Sequence, residues 1–276
     1  MPLSLRNCGL LLSAAVVFTR CANLKEVSSF AITSQQIMDR NKSATFGYYA
    51  YFHDSAYIYR YLPDHLRDVD CHCDIEKQAD AHIASEYSLL STYFGVLAKF
   101  ADPRAAINFG PMGNPLPAGA YGHVSISAQE ATLTARLATG LSVLVTTRYK
   151  EKKARLFIAN YRDSVAPLIT LLKIRADNLS GRIVNLQLQL ERVTDSLISF
   201  AEHKEVKMPV LFVYEQKRKE LDETLALYEQ RTHELETMIA GGQLIVDNID
   251  NLHSQPFKDK MKSVVNALVL NANVKF

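Results

Sequence analysis

Two thiols and an imidazole lie within three consecutive residues, in the segment Asp70-Cys71-His72-Cys73-Asp74. Thiolate and imidazole ligands suit zinc or copper, so a metal site is the first chemistry to consider. Zinc sites, however, combine a C-x₂₋₄-C pair with a second ligand pair elsewhere in the chain. The other two cysteines, Cys8 and Cys21, lie near the N-terminus and form no such pair. We therefore predict no metal ion and no other cofactor.

The N-terminus has the layout of an export signal. Arg6 supplies a positive charge, and an uncharged apolar stretch runs from Cys8 to Phe18. Secretory signals combine a basic start with an apolar region of this size, whereas a membrane-spanning helix needs about 20 apolar residues. Residues 1–20 are therefore predicted to be a signal peptide, and residues 21–276 a single helical-bundle domain.

The end of this segment, Phe18-Thr19-Arg20-Cys21, resembles the lipobox of bacterial lipoproteins. In that family an apolar residue and two small residues precede a cysteine that is acylated and becomes the first mature residue; Arg20 stands where the family has Gly, Ala or Ser. The resemblance implies lipidation at Cys21. Because Ala22 follows rather than Asp, it also implies the outer membrane, facing the periplasm. A secreted or soluble periplasmic protein is the alternative.

An oxidising compartment favours disulfides, so Cys71 and Cys73 are predicted to pair with each other. Such a bridge would fix the turn between two N-terminal helices. Free thiols or pairing with another chain form one alternative, and a metal or redox function of the same cysteines forms the other.

Other constellations give no catalytic site. Six tyrosines between Tyr48 and Tyr61 could stack on a sugar or a peptide, but buried rings with hydroxyls at the rim are the expected arrangement. The glycines of Gly110-Pro111-Met112-Gly113 are not followed by the Lys-Ser/Thr of a phosphate loop. The chain has neither a Gly-x-Ser-x-Gly elbow nor a His-Glu-x-x-His motif, and the pair Glu202-His203 is expected to be solvated. The prediction is that the protein is not an enzyme.

Composition favours helices and disfavours a nucleic-acid partner. Without Arg6 and Arg20, the 31 basic residues fall to 29, which equals the 29 acidic residues. A net charge near zero lacks the basic surface that nucleic acids require. The chain is 48% hydrophobic, with no Trp, 11 Gly and 9 Pro, and this balance is typical of a helical protein with a core.

Apolar spacing predicts the N-terminal helices. Helical spacing runs from Leu24 towards Pro63 with a possible break at Gly47, and a second segment covers about Asp74 to Ala101. Residues 102–121 hold three Gly and four Pro between Pro103 and Gly119, a density that predicts a loop. A third helix is expected from Ser125 or Ser127 to about Tyr149.

The C-terminal half has the most regular pattern. Apolar residues keep a 4-3 alternation from Leu168 to Phe200 and from Leu221 to Ile249, with a turn expected at His203 to Pro209. Two such stripes predict a long antiparallel, coiled-coil-like hairpin over about residues 151–253. A last helix is expected from Phe257 to Val269. The predicted fold is all-α, an elongated bundle of five or six helices.

These features predict an exported, lipid-anchored envelope protein of structural or interaction type. Its expected partners are the membrane, through the anchor, and an envelope protein; the sequence leaves its oligomeric state open. The alternative is a membrane-active bundle, loosely similar to α-helical pore-forming toxins, whose apolar patch would be Gly140 to Val145. An enzyme using Cys71 and Cys73 is the third possibility.

The lipobox resemblance predicts the effect of Cys21→Ser. Serine cannot be acylated as the cysteine is, so the variant should remain an unprocessed precursor and take up no radiolabelled fatty acid. The matched control is Cys8→Ser, which alters the apolar segment but not the acylation position. Equal labelling of the Cys21→Ser variant and the parent would exclude lipidation at this residue.

Overall fold

The structure is a computed structural model that describes residues 24–43, 47–59, 73–102, 104–105, 111–144, 151–200 and 204–272. Within these ranges it contains seven helices and one pair of short strands, which confirms the predicted all-α fold. The helices are α1 (Lys25–Lys42), α2 (Tyr48–Tyr59), α3 (Asp74–Ala101), α4 (Ala128–Leu144), α5 (Glu151–Phe200), α6 (Lys204–Asp247) and α7 (Gln255–Ala272). The strands are β1 (Gly119–Tyr121) and β2 (Val124–Ile126).

The helix count exceeds the predicted five or six because the first predicted segment is divided at Gly47. The carboxylate of Asp80, on α3, accepts the backbone N–H groups of Tyr48 at 2.9 Å and Tyr49 at 3.0 Å. These groups belong to the first turn of α2, where no intrahelical partner exists. A Cβ at Gly47 would lie 2.5 Å from an Asp80 carboxylate oxygen, so only glycine permits this approach.

The loop prediction for residues 102–121 was wrong at its end, where β1 begins. Strands β1 and β2 pair antiparallel across a two-residue loop, with Tyr121 opposite Val124. Gly122 has φ +57°, a left-handed conformation that tight hairpin loops require and glycine adopts readily. After β2, the hydroxyl of Ser127 accepts the N–H of Glu130 at 3.1 Å and caps α4.

The long hairpin is formed by α5, of 50 residues, and α6, of 44 residues. At about 1.5 Å per residue these arms are about 75 Å and 66 Å long. Three side-chain pairs, Lys173–Glu236, Asp177–Thr232 and Gln187–Asp222, cross between the helices and advance in opposite directions, so the arms are antiparallel. The predicted turn at His203 to Pro209 was too long, because α6 already begins at Lys204 and contains Pro209.

Buried side chains form two apolar clusters along the hairpin. The larger lies at the end of the hairpin where α5 begins and α6 ends, which we call its base. It is formed by α1, α3, α4, α7, the first part of α5 and the last part of α6. The smaller lies farther along, where α2 and Val124 pack on the middle of α5 and on α6 residues such as Leu221 and Tyr228. The 4-3 stripes of the hairpin therefore serve both as its internal seam and as the surface on which the N-terminal helices pack.

Two helical glycines should respond oppositely to alanine. At Gly241 a Cβ would lie 2.4 Å from the Phe30 ring, and Phe30 is fully buried, so Gly241→Ala should lower the free energy of unfolding by about 1–3 kcal/mol. At Gly181 a Cβ meets nothing within 4 Å, so Gly181→Ala should raise it by about 1 kcal/mol through helix propensity. Denaturant unfolding of both variants checks this, and equal changes would contradict the packing.

Candidate functional site

Most of the chemistry-bearing residues singled out from sequence lie outside the described residues. These are Cys21, Cys71, Glu202 and His203. Cys73 is described: it is buried, directly precedes α3, and is disulfide-bonded. Because the other three cysteines lie outside the described ranges, the pairing of Cys71 with Cys73 stays a prediction. Within the described part of the chain, no group of three or more His, Cys, Asp or Glu side chains could hold a metal ion.

Two tyrosines of α2 are used for packing rather than for an open binding face. Tyr48 and Tyr51 are buried against the middle of α5. The Arg182 guanidinium lies over both rings at 5.5 Å, and over the ring of Phe52 at 5.3 Å. Such cation–π contacts attach α2 to the hairpin.

The segment Gly140 to Val145, proposed for membrane insertion, has one buried apolar residue among those whose side chains are described. Leu141 is fully buried, and a Cβ at Gly140 would collide with the Tyr161 hydroxyl on α5. Gly140 therefore allows α4 to approach α5 closely. Exposed apolar side chains are spread over several described elements, and four of them are close together in sequence near the start of α6: Met208, Leu211, Phe212 and Val213.

A buried ionic cluster connects α3, α4 and α5. The guanidinium of Arg175 donates to Glu86 through Nη1 and to Glu130 through Nη2. The side chain of Glu86 is fully buried, and those of Glu130 and Arg175 are nearly so. Arg175 falls at a 4-3 position within the apolar stripe that runs from Leu168 to Phe200, and this charge in an apolar stripe is the only sequence signal of the cluster. The carboxylates could not be identified, because their helices are distant in sequence.

Burial determines the protonation of Glu86 in this cluster. Desolvation raises the pKa of Glu86 to about 8; Arg175 opposes this shift and the nearby Glu130 adds to it. Oε2 of Glu86 accepts from Arg175, while Oε1 has no hydrogen-bond partner among the described residues. Burial therefore favours the protonated form of Glu86 at neutral pH, with Oε2 still accepting from Arg175.

A cavity of about 470 Å³ opens near the base of the hairpin, between α1, α3, α5 and α6. Its floor is apolar and includes Phe30, Phe94, Leu97, Ile169 and Met238, all almost inaccessible to solvent. The exposed side chains of Arg162, Asp163 and Gln243 form its mouth. Ligand pockets typically have this size and this predominance of apolar lining. The cavity is the best-formed candidate binding site in the described part of the chain.

Scans of protein-family models, characterised proteins and solved structures found no match to this chain. None of the helices in the described ranges is long and apolar enough to cross a membrane.

The raised pKa of Glu86 predicts a pH-dependent stability. A carboxyl whose folded pKa lies above its unfolded value contributes stability that is fully present below about pH 4.5 and is lost as the pH rises to about 8. Glu86→Gln keeps the volume and the hydrogen bond to Arg175 but does not titrate. The melting temperature of the variant minus that of the parent should therefore increase as the pH is raised from about 5 to about 9.

Circular dichroism melts across this range measure the difference. Glu229→Gln, at an exposed position of α6, is the matched control and should follow the parent. Parallel pH profiles for Glu86→Gln and the parent would show that Glu86 does not carry a proton in the folded state.

Proposed function

We propose that this chain is an exported protein of the bacterial envelope that is held by lipid at Cys21 and binds a protein partner with the far end of its hairpin. The proposal assigns it no catalytic chemistry. The outer membrane, on its periplasmic side, is the proposed location. Support comes from the lipobox resemblance in the sequence and from one observation on the hairpin.

That observation is an apolar face exposed near the start of α6. Met208, Leu211 and Phe212 are spaced three and four residues apart, so they share one side of the helix. Met208 is 69% exposed, Phe212 is 70% exposed, and Val213 beside them is 63% exposed. Clustered large apolar side chains in water mark interaction surfaces, whereas single ones need no explanation.

Two polar contacts join α2 to the hairpin on the base side of this face. Ser55 of α2 donates to Gln189 of α5 at 3.0 Å, and Lys217 of α6 pairs with Asp54 of α2 at 2.8 Å. Phe212 lies five residues beyond Lys217 towards the tip, or about 7.5 Å along α6.

The proposed anchor and this apolar face lie at opposite ends of the hairpin. Ser28, in the first turns of α1, contacts Ala98 near the end of α3, and the neighbouring Phe100 packs on Phe157 near the start of α5. Phe157 and Phe200 are 43 residues apart on α5, or about 65 Å. Cys21 precedes Leu24 by three residues and so stays within about 11 Å of it. A membrane at Cys21 would lie at the base, with the apolar face directed away from it.

The runner-up is a membrane-active bundle, for which the same apolar face would replace the patch on α4. Its few apolar residues would reach only the interfacial region of a bilayer, as amphipathic helices do. A protein partner fits better, because the anchored membrane is at the other end of the molecule.

Photo-crosslinking from Phe212 tests the proposal. A photoreactive amino acid at Phe212, in cells that make the full chain, should yield a discrete protein adduct. The matched control position is Leu270 on α7, which is also 70% exposed but lies near Gln230, about 27 Å from Phe212 along α6. With the photoreactive amino acid moved to Val213, Phe212→Ser should abolish partner capture and change the free energy of unfolding by no more than about 0.5 kcal/mol.

Three results would count against this function. Adducts of equal yield at both positions would indicate non-specific contact. Lipid adducts at Phe212, together with liposome leakage by the purified chain, would favour the membrane-active alternative. Absence of any adduct at Phe212 would contradict a partner at this surface.

A further inference from the structure

The cavity near the base of the hairpin has features of a built pocket rather than of a packing defect. Its volume of about 470 Å³ lies within the usual range of small-molecule pockets, and its mouth is open to solvent. Its aromatic walls are fixed by contacts with other rings: Phe30 meets Phe94 edge to face at 5.9 Å, and Tyr93 stacks on Phe157 at 5.0 Å. The walls are therefore held apart by their own packing.

Adjacent glycines on α6 shape the pocket in two ways. Gly241 lets α6 approach the ring of Phe30, which a Cβ would meet at 2.4 Å. Gly242 lines the cavity, and a Cβ there meets nothing within 4 Å. Glycine in a helix interior costs about 1 kcal/mol relative to alanine. At Gly242 no neighbouring atom requires glycine, and the absence of a side chain there enlarges the pocket.

The mouth of the pocket carries balanced charge and hydrogen-bonding groups of both kinds. Nε of Arg162 lies 3.3 Å from a carboxylate oxygen of Asp163, so the two charges offset each other. Pro167 has no N–H, so it cannot donate to the carbonyl oxygen of Asp163, which precedes it by four residues. Gln243 adds an amide that already donates to Asp247 at 2.7 Å. A charged head group would therefore be attracted by one of these two side chains and repelled by the other.

We propose that this pocket binds a single-chain lipid with a neutral, hydroxyl-bearing head, of the monoacylglycerol class. The aliphatic chain lies on the floor formed by Phe30, Phe94 and Met238. The head lies at the mouth, where its hydroxyls donate to the carbonyl oxygen and carboxylate of Asp163 and accept from Arg162. This inference is independent of the proposed envelope function and of the hairpin tip.

Calorimetric titration of the purified full chain with 1-dodecanoylglycerol, in detergent-free buffer, tests the site. One molecule should bind per chain and raise the melting temperature. Gly242→Leu directs a side chain into the cavity and should weaken binding by at least about tenfold. Gly181→Leu makes the same change at a solvent-exposed position of α5 and should bind as the parent does. Unchanged binding by a folded Gly242→Leu variant would overturn the site.

Two further arms test the head group and guard against misfolding. Dodecanoate and dodecyltrimethylammonium carry similar chains with opposite charges, and each should bind more weakly than 1-dodecanoylglycerol, by about tenfold. Equal or tighter binding of either ion would overturn the neutral-head assignment. If Gly242→Leu fails to fold, Gly242→Met places a more flexible side chain in the same space and is judged by the same criterion. No saturable binding of 1-dodecanoylglycerol by the parent would overturn the proposal entirely.

Discussion

Arg175 is a charged residue in the middle of a helix whose neighbouring seam positions are apolar, and its burial constrains how three helices meet. An unpaired guanidinium in the interior would be strongly destabilising, so the side chain must find acceptors that are themselves inside. Glu86 on α3 and Glu130 on α4 are those acceptors. Because Arg offers its donors in a rigid planar fork, the two carboxyl groups must approach from defined directions. The cluster thereby sets how α3 and α4 lie on α5.

Once α3 is positioned on α5, the other N-terminal elements follow from contacts with α3. Asp80, two turns before Glu86, caps α2, while Glu76 accepts from the ring of His123 at 2.7 Å beside the loop of the β-hairpin. On α1, Arg40 pairs with the buried Glu234 of α6 at 2.6 Å. In both pairs the carboxylate is buried while Arg40 and His123 are 43% and 50% exposed, so removing the basic partner would leave a costly buried charge. We infer that these pairs select one arrangement of helices whose apolar faces could otherwise pack in several ways.

The sequence predicted those elements whose signal is local. Sustained 4-3 spacing identified the hairpin, and Ser127 was one of two candidate caps of α4. The errors have a common cause, which is that the deciding partner is distant in sequence. The break at Gly47 depends on Asp80, and the burial of Leu141 on α5. No periodicity contains that information.

The same reasoning explains why the pocket could not be seen in the sequence. Pro167 and Gly242 are each unfavourable in the interior of a helix, but a single such residue is tolerated in many helices. They become informative only when the fold brings them to one cavity between α5 and α6. There, proline removes a donor at the mouth and glycine removes a side chain from the wall. The two local departures from helix propensity thus converge on one apolar space, and only the fold shows that they do.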